Sequence, residues 1–332
     1  MDMTPEKVVA EPTLLLSEQA DYLISMAARA PSVHNTQPWR FKLGPQAIEL
    51  YADNSRKLRA DPLGREMLIS CGAAVFGLRL AVRSLGYLPV VELLPEPARL
   101  RLLARVRPGR AAVMKAAERA MLEAVPHRHT HRGPFEPGAL PGYLLAGLQH
   151  DALAEGATLA LADEHAQARL AAVASPASRT RDRDQVNRAE VRRWTRLAND
   201  PARDGVPAHA FAGQPADQAG RLRQRDFDLG RGLGLLTDVG SPPPATAVLL
   251  TSRDSRMDWL RAGQALYRLL LHAASQWVFA ALYTQPLEGA ATRNLIKTSL
   301  SLPGSPQVLL QLGAARTTQA TARRPAAELL DP

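Results

Sequence analysis

The chain has 332 residues, 46% of them apolar and 22% charged, which suits a folded globular protein of one large domain or two. Its net charge of +9 is almost all arginine scattered along the chain, and aromatics are 5%, so the concentrated basic stripe of a nucleic-acid binder is missing. The single cysteine, Cys71, excludes an internal disulfide and any multi-cysteine metal site.

The N-terminus "MDMTPEKVVAEPT" has no signal-peptide core, and no apolar run approaches the length of a bilayer span, so a cytoplasmic location is expected. From Ser17 to Ala30 the apolar residues recur at helical spacing, with Ser17 as N-cap and Pro31 as stop. "WRFKL" and "AIELYA" flank Gly44-Pro45 and read as a hairpin. "GREMLISCGAAVFGLRLAVRSLGY" is a long apolar helix ending near Gly86, and "PVVELLP" and "ARLRLLARV" are strand-like. In the second half "TAVLLT" is a buried strand, "SRMDWLRAGQALYRLLLHAASQWVFAAL" a second long apolar helix, and "PQVLLQLG" a last strand.

The two long helices align without a gap. "CGAAVFGLRLA" lies over "AGQALYRLLLH" at a constant offset of 191, matching Gly72 with Gly263 and Phe76 with Tyr267. That is the mark of a duplicated unit, although two apolar helices can also match by chance. Between the halves runs a polar stretch rich in Arg and Asp. Its first part, to Asn199, has the pattern of a charged amphipathic helix, and its remainder, about 200–240, reads as a lid-like excursion.

Four stretches carry chemistry. "APSVHNTQPWRF" places Pro31, Ser32, Asn35, Gln37 and Trp39 at a strand entrance, and its carboxamides can both donate and accept hydrogen bonds. "RHTHRGPF" holds Arg128, Thr130 and Arg132, forked or hydroxyl donors suited to a phosphate. Its alternating His127, His129 and His131 hint at metal, but with no further histidine or acidic cluster nearby they are expected to face solvent or a phosphate. "QPLEG" supplies Pro286, Glu288 and Gly289, and "ARRPAAELL" supplies Arg323 and Arg324 after the last strand. Cys71 reads as core, His34 as packed within its loop, and the four tryptophans as packing anchors.

The first of these motifs resembles the loop "PS-x-x-N-x-QPW" that lies against FMN in nitroreductase-fold flavoproteins. The second is similar to their Arg-x-Ser/Thr-x-Arg motif and "QPLEG" to their turn over the isoalloxazine ring. Each motif occurs once, in complementary halves. With "DWLRAGQALYRLLL", "VRRWTR" and "DGVPAHAF", the order resembles the Acg family of nitroreductase-like proteins from about residue 14 to 330.

The resemblance implies an α+β nitroreductase fold, internally duplicated as a single-chain pseudo-dimer. The halves would be 14–110 and 111–332, with further dimerisation left open. It implies one FMN per chain between the halves, NAD(P)H as electron donor, and a nitroaromatic or quinone-like acceptor. The partners expected are small molecules only, with no nucleic acid and no membrane. The alternative it implies is an FMN-sequestering protein with a lid. The cofactor-binding set is Pro31, Ser32, Asn35, Gln37, Trp39, Arg128, Thr130, Arg132, Pro286, Glu288, Gly289, Arg323 and Arg324, with no catalytic side chain and no metal. The sequence departs from the pattern at Ser275-Gln276-Trp277, where larger side chains are expected to narrow the cavity. It departs again after the last strand, where Arg316, Arg323 and Arg324 compete for the phosphate.

Overall fold

The computed structural model describes residues 16–211, 222–233, 245–316 and 321–331. After α1 (Ala20–Ala28), the expected hairpin forms from β1 (Trp39–Leu43) and β2 (Ile48–Ala52), with Trp39 opposite Ala52. Ile48, Leu50 and Ala52 point inward along β2, the period of two that a sheet covered on one face requires. The long helix α2 (Arg65–Ser84) follows, then β3 (Tyr87–Leu93) and β4 (Leu102–Ala111). The four strands pair antiparallel in the order β1-β2-β4-β3.

The second half begins with α3 (Ala116–Ala124) and α4 (Gly142–Ala154), then β5 (Thr158–Ala162), α5 (Glu164–Arg183) and α6 (Gln185–Arg193). Two short parallel strands, β6 (Thr195–Arg196) and β7 (Val206–Pro207), tie the start of the excursion together. β8 (Ala245–Thr251), α7 (Arg256–Ser275), β9 (Val278–Tyr283), α8 (Ala290–Ser299), β10 (Ser305–Ala314) and α9 (Ala326–Leu329) complete the chain. This sheet is also antiparallel, in the order β5-β8-β10-β9. Both halves therefore run strand, strand, long helix, strand, strand, with the last two strands exchanged in space.

α2 and α7 occupy the same positions under the offset of 191 and pack on each other between the sheets. Their contact is reciprocal. A Cβ at Gly72 would collide with the Leu260 carbonyl, and one at Gly263 with the Ile69 carbonyl, which is the same contact with the helices exchanged. Such pairing is what a two-fold relation between the units produces. The first sheet leaves its outer face to charged side chains such as the Arg105–Glu49 pair at 2.7 Å. The outer face of the second is covered by α5 and α8, with Leu170 and Ile296 against Val248 and Leu309. The chain then crosses back, and Asp331 N–H donates to the Phe41 carbonyl at 2.7 Å, bringing the C-terminal segment to the β1 edge.

Three expectations change. The second long helix stops at Ser275, and "VFAALY" is a strand. Trp277 takes a left-handed φ of 56°, where the first half has Gly86 at 89°. A run apolar on both faces fits a buried strand as well as a buried helix, so periodicity alone did not separate them. The charged helix breaks at Asp184, whose carboxylate caps α6 by accepting from Val186 N–H at 2.9 Å, and it ends at Arg193 rather than Asn199. Finally, α2 is long and apolar enough to cross a membrane, yet 89% of its most apolar window is buried inside the protein.

Candidate functional site

A cavity open to solvent lies between the halves. Its walls are Pro31–His34 from the loop before β1, Glu66 and Ser70 from α2, Thr130–Arg132, and residues 281–286 at the end of β9. Arg223, Arg225 and Phe227 of the excursion close one side.

The loop before β1 is held under strain. His34, Asn35 and Gln37 all have left-handed φ, at 52°, 54° and 50°. Such residues persist only where surrounding bonds over-determine them, commonly at functional sites. Here Gln37 N–H donates to Ser32 Oγ at 3.0 Å, and Asn35 Nδ2 donates to the Gly205 and Ala322 carbonyls at 3.0 and 3.1 Å. Gln37 Nε2 donates to the Arg203 carbonyl at 2.8 Å, and Gln37 Oε1 accepts from Arg324 N–H at 2.8 Å. Both carboxamides therefore clasp the excursion and the C-terminal segment, while Pro31 and Ser32 line the cavity. Trp39 lies wholly in the core. His34 packs edge-on to Phe227 at 5.4 Å, and its Nδ1 is buried without a partner. Burial, followed by the charges of Arg225 and Arg132, holds the imidazole neutral, well below its ordinary pKa.

"RHTHR" runs beside β9 as a strand-like segment, with His131 N–H donating to the Ala280 carbonyl at 2.8 Å. Thr130 and Arg132 line the cavity. His131 lines it too while packing on Phe135 at 4.7 Å, and His129 packs on Phe279 at 4.4 Å away from the wall; both are buried rather than facing solvent. Burial pushes His129 down to about 4. No metal-holding group of His, Cys, Asp and Glu occurs among the described residues.

Arg128 and Arg323 sit beside the cavity rather than in its wall. Both extend to the Arg29 carbonyl, at 3.1 and 3.5 Å, and the Arg128 guanidinium lies 5.7 Å from the Tyr267 ring centre. Arg128 Nε, Arg323 Nε and Tyr267 Oη are buried and unbonded. Neither arginine has a carboxylate partner among the described residues. Loss of water, then the Arg128 charge, pushes Arg323 down to about 9, and burial followed by Arg128 pushes Arg132 down to about 10. Cations gathered with spare donors and no counter-charge have the chemistry to hold an anion. Of the competing arginines, Arg324 pairs with Glu328 at 3.3 Å while its Nη1 is buried and unbonded, and the exposed Arg316 lies 3.6 Å from Glu136.

Of the "QPLEG" turn, Pro286 lines the cavity. Glu288 is buried in an ion pair with Arg225 of the excursion, and Gly289 precedes α8 as its N-cap. Asp182 accepts from Gln285 Nε2 at 2.8 Å and from Arg223 Nε at 2.9 Å, a second tie to the excursion. Residues 222–233 thus cover the cavity, while 212–221 and 234–244 of the expected lid lie outside the described residues. Trp277 is 52% exposed and stacks on His127, so it does not narrow the cavity as expected. Cys71 is buried, its thiol raised by burial and donating to the Pro38 carbonyl at 3.3 Å.

The motifs did not single out Glu66, Tyr267, Arg225 or Phe227. An acid inside the apolar opening of α2 was the visible signal for Glu66. A hydroxyl aligned over Phe76 was the signal for Tyr267.

No protein-family model matches the sequence. A Mycobacterium tuberculosis H37Rv protein provisionally named an NAD(P)H nitroreductase is 33% identical over 301 residues, covering 90% of this chain and 85% of that protein. The M. tuberculosis protein acg, with the same provisional name, is 28% identical over 322 residues, 96% of each chain. Among solved structures, the FMN-bound nitroreductase of Bacteroides fragilis NCTC 9343 superposes with a TM-score of 0.38 at 12% identity, covering 61% of this chain and 94% of that one. The FMN-bound nitroreductase of Desulfitobacterium hafniense DCB-2 gives 0.40 at 12%, covering 63% and 95%. On the level and extent of identity to the mycobacterial proteins, the chain belongs to the Acg family of nitroreductase-like proteins.

Proposed function

We propose that this protein is an FMN-dependent NAD(P)H oxidoreductase of nitroreductase type. It would hold one FMN per chain between the halves and pass two electrons at a time to nitroaromatic or quinone-like acceptors. The observation that carries the reading is the cluster of Arg128, Arg323 and Tyr267, whose unbonded donors suit the FMN phosphate dianion. The adjoining cavity, walled by Pro31, Ser32, Thr130, Arg132 and Pro286, suits the ring. When bound, FMN would supply the hydride chemistry. The chain's own share is to bind, orient and exclude water. Reciprocal contact of Gly72 and Gly263 supports a fused dimer, and the excursion and turn that build the cavity occur in one half only.

The test is reconstitution with FMN or riboflavin, followed by anaerobic NADPH or NADH. FMN binding at least tenfold tighter than riboflavin, with bleaching of the flavin absorption, is the expected result. Equal binding of the two would remove the phosphate site from the reading. The Arg225–Glu288 and Arg223–Asp182 ties favour a second reading, flavin sequestration under a closed lid. Flavin that dithionite reduces but neither nicotinamide bleaches would select it.

A further inference from the structure

Glu66 stands in the first turn of α2, where the chain turns into the helix through Gly64 at a left-handed φ of 73°. It is the one acid among the described residues lining the cavity. The residue is 3% exposed, and neither carboxyl oxygen has a hydrogen-bond partner. The nearest cation, Arg65, stands 3.5 Å away, and its guanidinium is already engaged with the Gln307 carbonyl and side chain at 2.9 Å each. A buried polar group without a partner costs about 1–3 kcal/mol. The fold retains two such oxygens on one carboxyl, in a residue that lines the cavity.

Four charged groups face it. Glu288 from the turn after β9 and Asp61 from the loop before α2 raise its affinity for a proton, while Arg65 on its own helix and Arg225 from the covering segment lower it. Burial is the largest influence, and with Glu288 it lifts Glu66 to about 8, so the carboxyl is protonated at neutral pH. The other titratable side chains of the wall cannot take this role there. His34 and His131 are held neutral, Tyr283 Oη donates to Gln311 at 2.5 Å, and Arg132, at about 10, and Arg225, raised by Glu288, keep their protons.

We propose that Glu66 is the proton donor to the electron acceptor, which gains a proton together with a hydride, as a quinone does. The proposal rests on the flavin reading above. The quinone takes a hydride from the reduced cofactor, which NAD(P)H replenishes. The Glu66 O–H bond breaks as an O–H bond forms on the quinone oxygen, and the hydroquinone leaves. The Glu66 carboxylate then regains a proton from solvent through the mouth of the cavity.

The test compares wild-type and Glu66→Gln protein, both loaded with FMN and reduced by NADPH. Each is reoxidised in stopped flow by a benzoquinone or by ferricyanide, which takes electrons without a proton. The quinone-to-ferricyanide rate ratio is expected to fall on the order of 10²-fold in the variant. In wild type, the quinone rate should decline as pH rises through about 8, and the variant should lose that dependence. An unchanged ratio, including an equal loss with both acceptors, overturns the proposal while leaving the flavin reading standing. Wild-type protein that binds no FMN ends both. Infrared spectra of the flavin-free wild type decide the protonation state independently. A protonated-carboxyl band at neutral pH, absent from Glu66→Gln, is expected, and its absence from wild type overturns the proposal even where the variant does not fold.

Discussion

Arg323 and Arg324 are neighbours in sequence and each has one buried, unbonded nitrogen, yet Arg323 stands beside Arg128 and Tyr267 without a carboxylate while Arg324 pairs with Glu328. The sequence left the two equivalent because only tertiary placement distinguishes them. Arg323→Ala should weaken FMN binding by about 10–100-fold with little change for riboflavin, since charge-assisted hydrogen bonds contribute about 1.5–3 kcal/mol each. Fluorescence titration of both ligands checks this, and Arg324→Ala serves as the comparison. Asn35 and Gln37 were legible as a polar cluster at a strand entrance. Their partners on residues 203–205 and 322–324 were not, because contacts across such distances leave no trace in local pattern. Glu66 has a stability consequence as well. Its folded pKa lies above the unfolded carboxylate value, so the native state holds an extra proton between roughly pH 4.5 and 8, and stability falls as pH rises through that window. The melting temperature of Glu66→Gln relative to wild type should therefore climb from pH 5 to pH 8, measured by calorimetry on flavin-free protein.

Among the elements, the covering segment 222–233 is the one whose contacts bear most on access to the cavity. Arg225 is tied to the buried Glu288 and Phe227 packs against His34, so release of the segment must break a buried ion pair. Removing one partner alone would strand the other charge, a cost unrelated to the lid. The double substitution Arg225→Met with Glu288→Gln removes both charges and should speed FMN dissociation by about tenfold or more, as read in stopped-flow fluorescence. An unchanged off-rate would mean that the segment does not gate the cavity. The strands and long helices could be read from apolar runs and the glycine offset, because local pattern specifies them. The end of α7 was misjudged because Trp277 occupies a left-handed position that Gly86 marks openly in the first half.

For the whole molecule, the repeated strand order was legible only as a helix-to-helix match, since the strands of the two halves share topology without obvious sequence likeness. The fused-dimer reading can be tested by cutting the chain at Val113, which is 89% exposed between β4 and α3. Fragments 1–113 and 114–332, expressed together, should co-purify through the α2–α7 contact. Expressed singly they should be insoluble, because each long helix would expose its apolar face.

The one-sided placement of α5, α8 and the excursion has a thermodynamic corollary. A symmetric dimer with two equal sites can couple them, so that filling one changes the affinity of the other. On the proposed reading, the half that lacks the covering elements among the described residues offers no second flavin site to couple. Flavin titration should therefore follow a single hyperbola with one equivalent per chain, and a Hill coefficient of about 1 whatever the state of the cover.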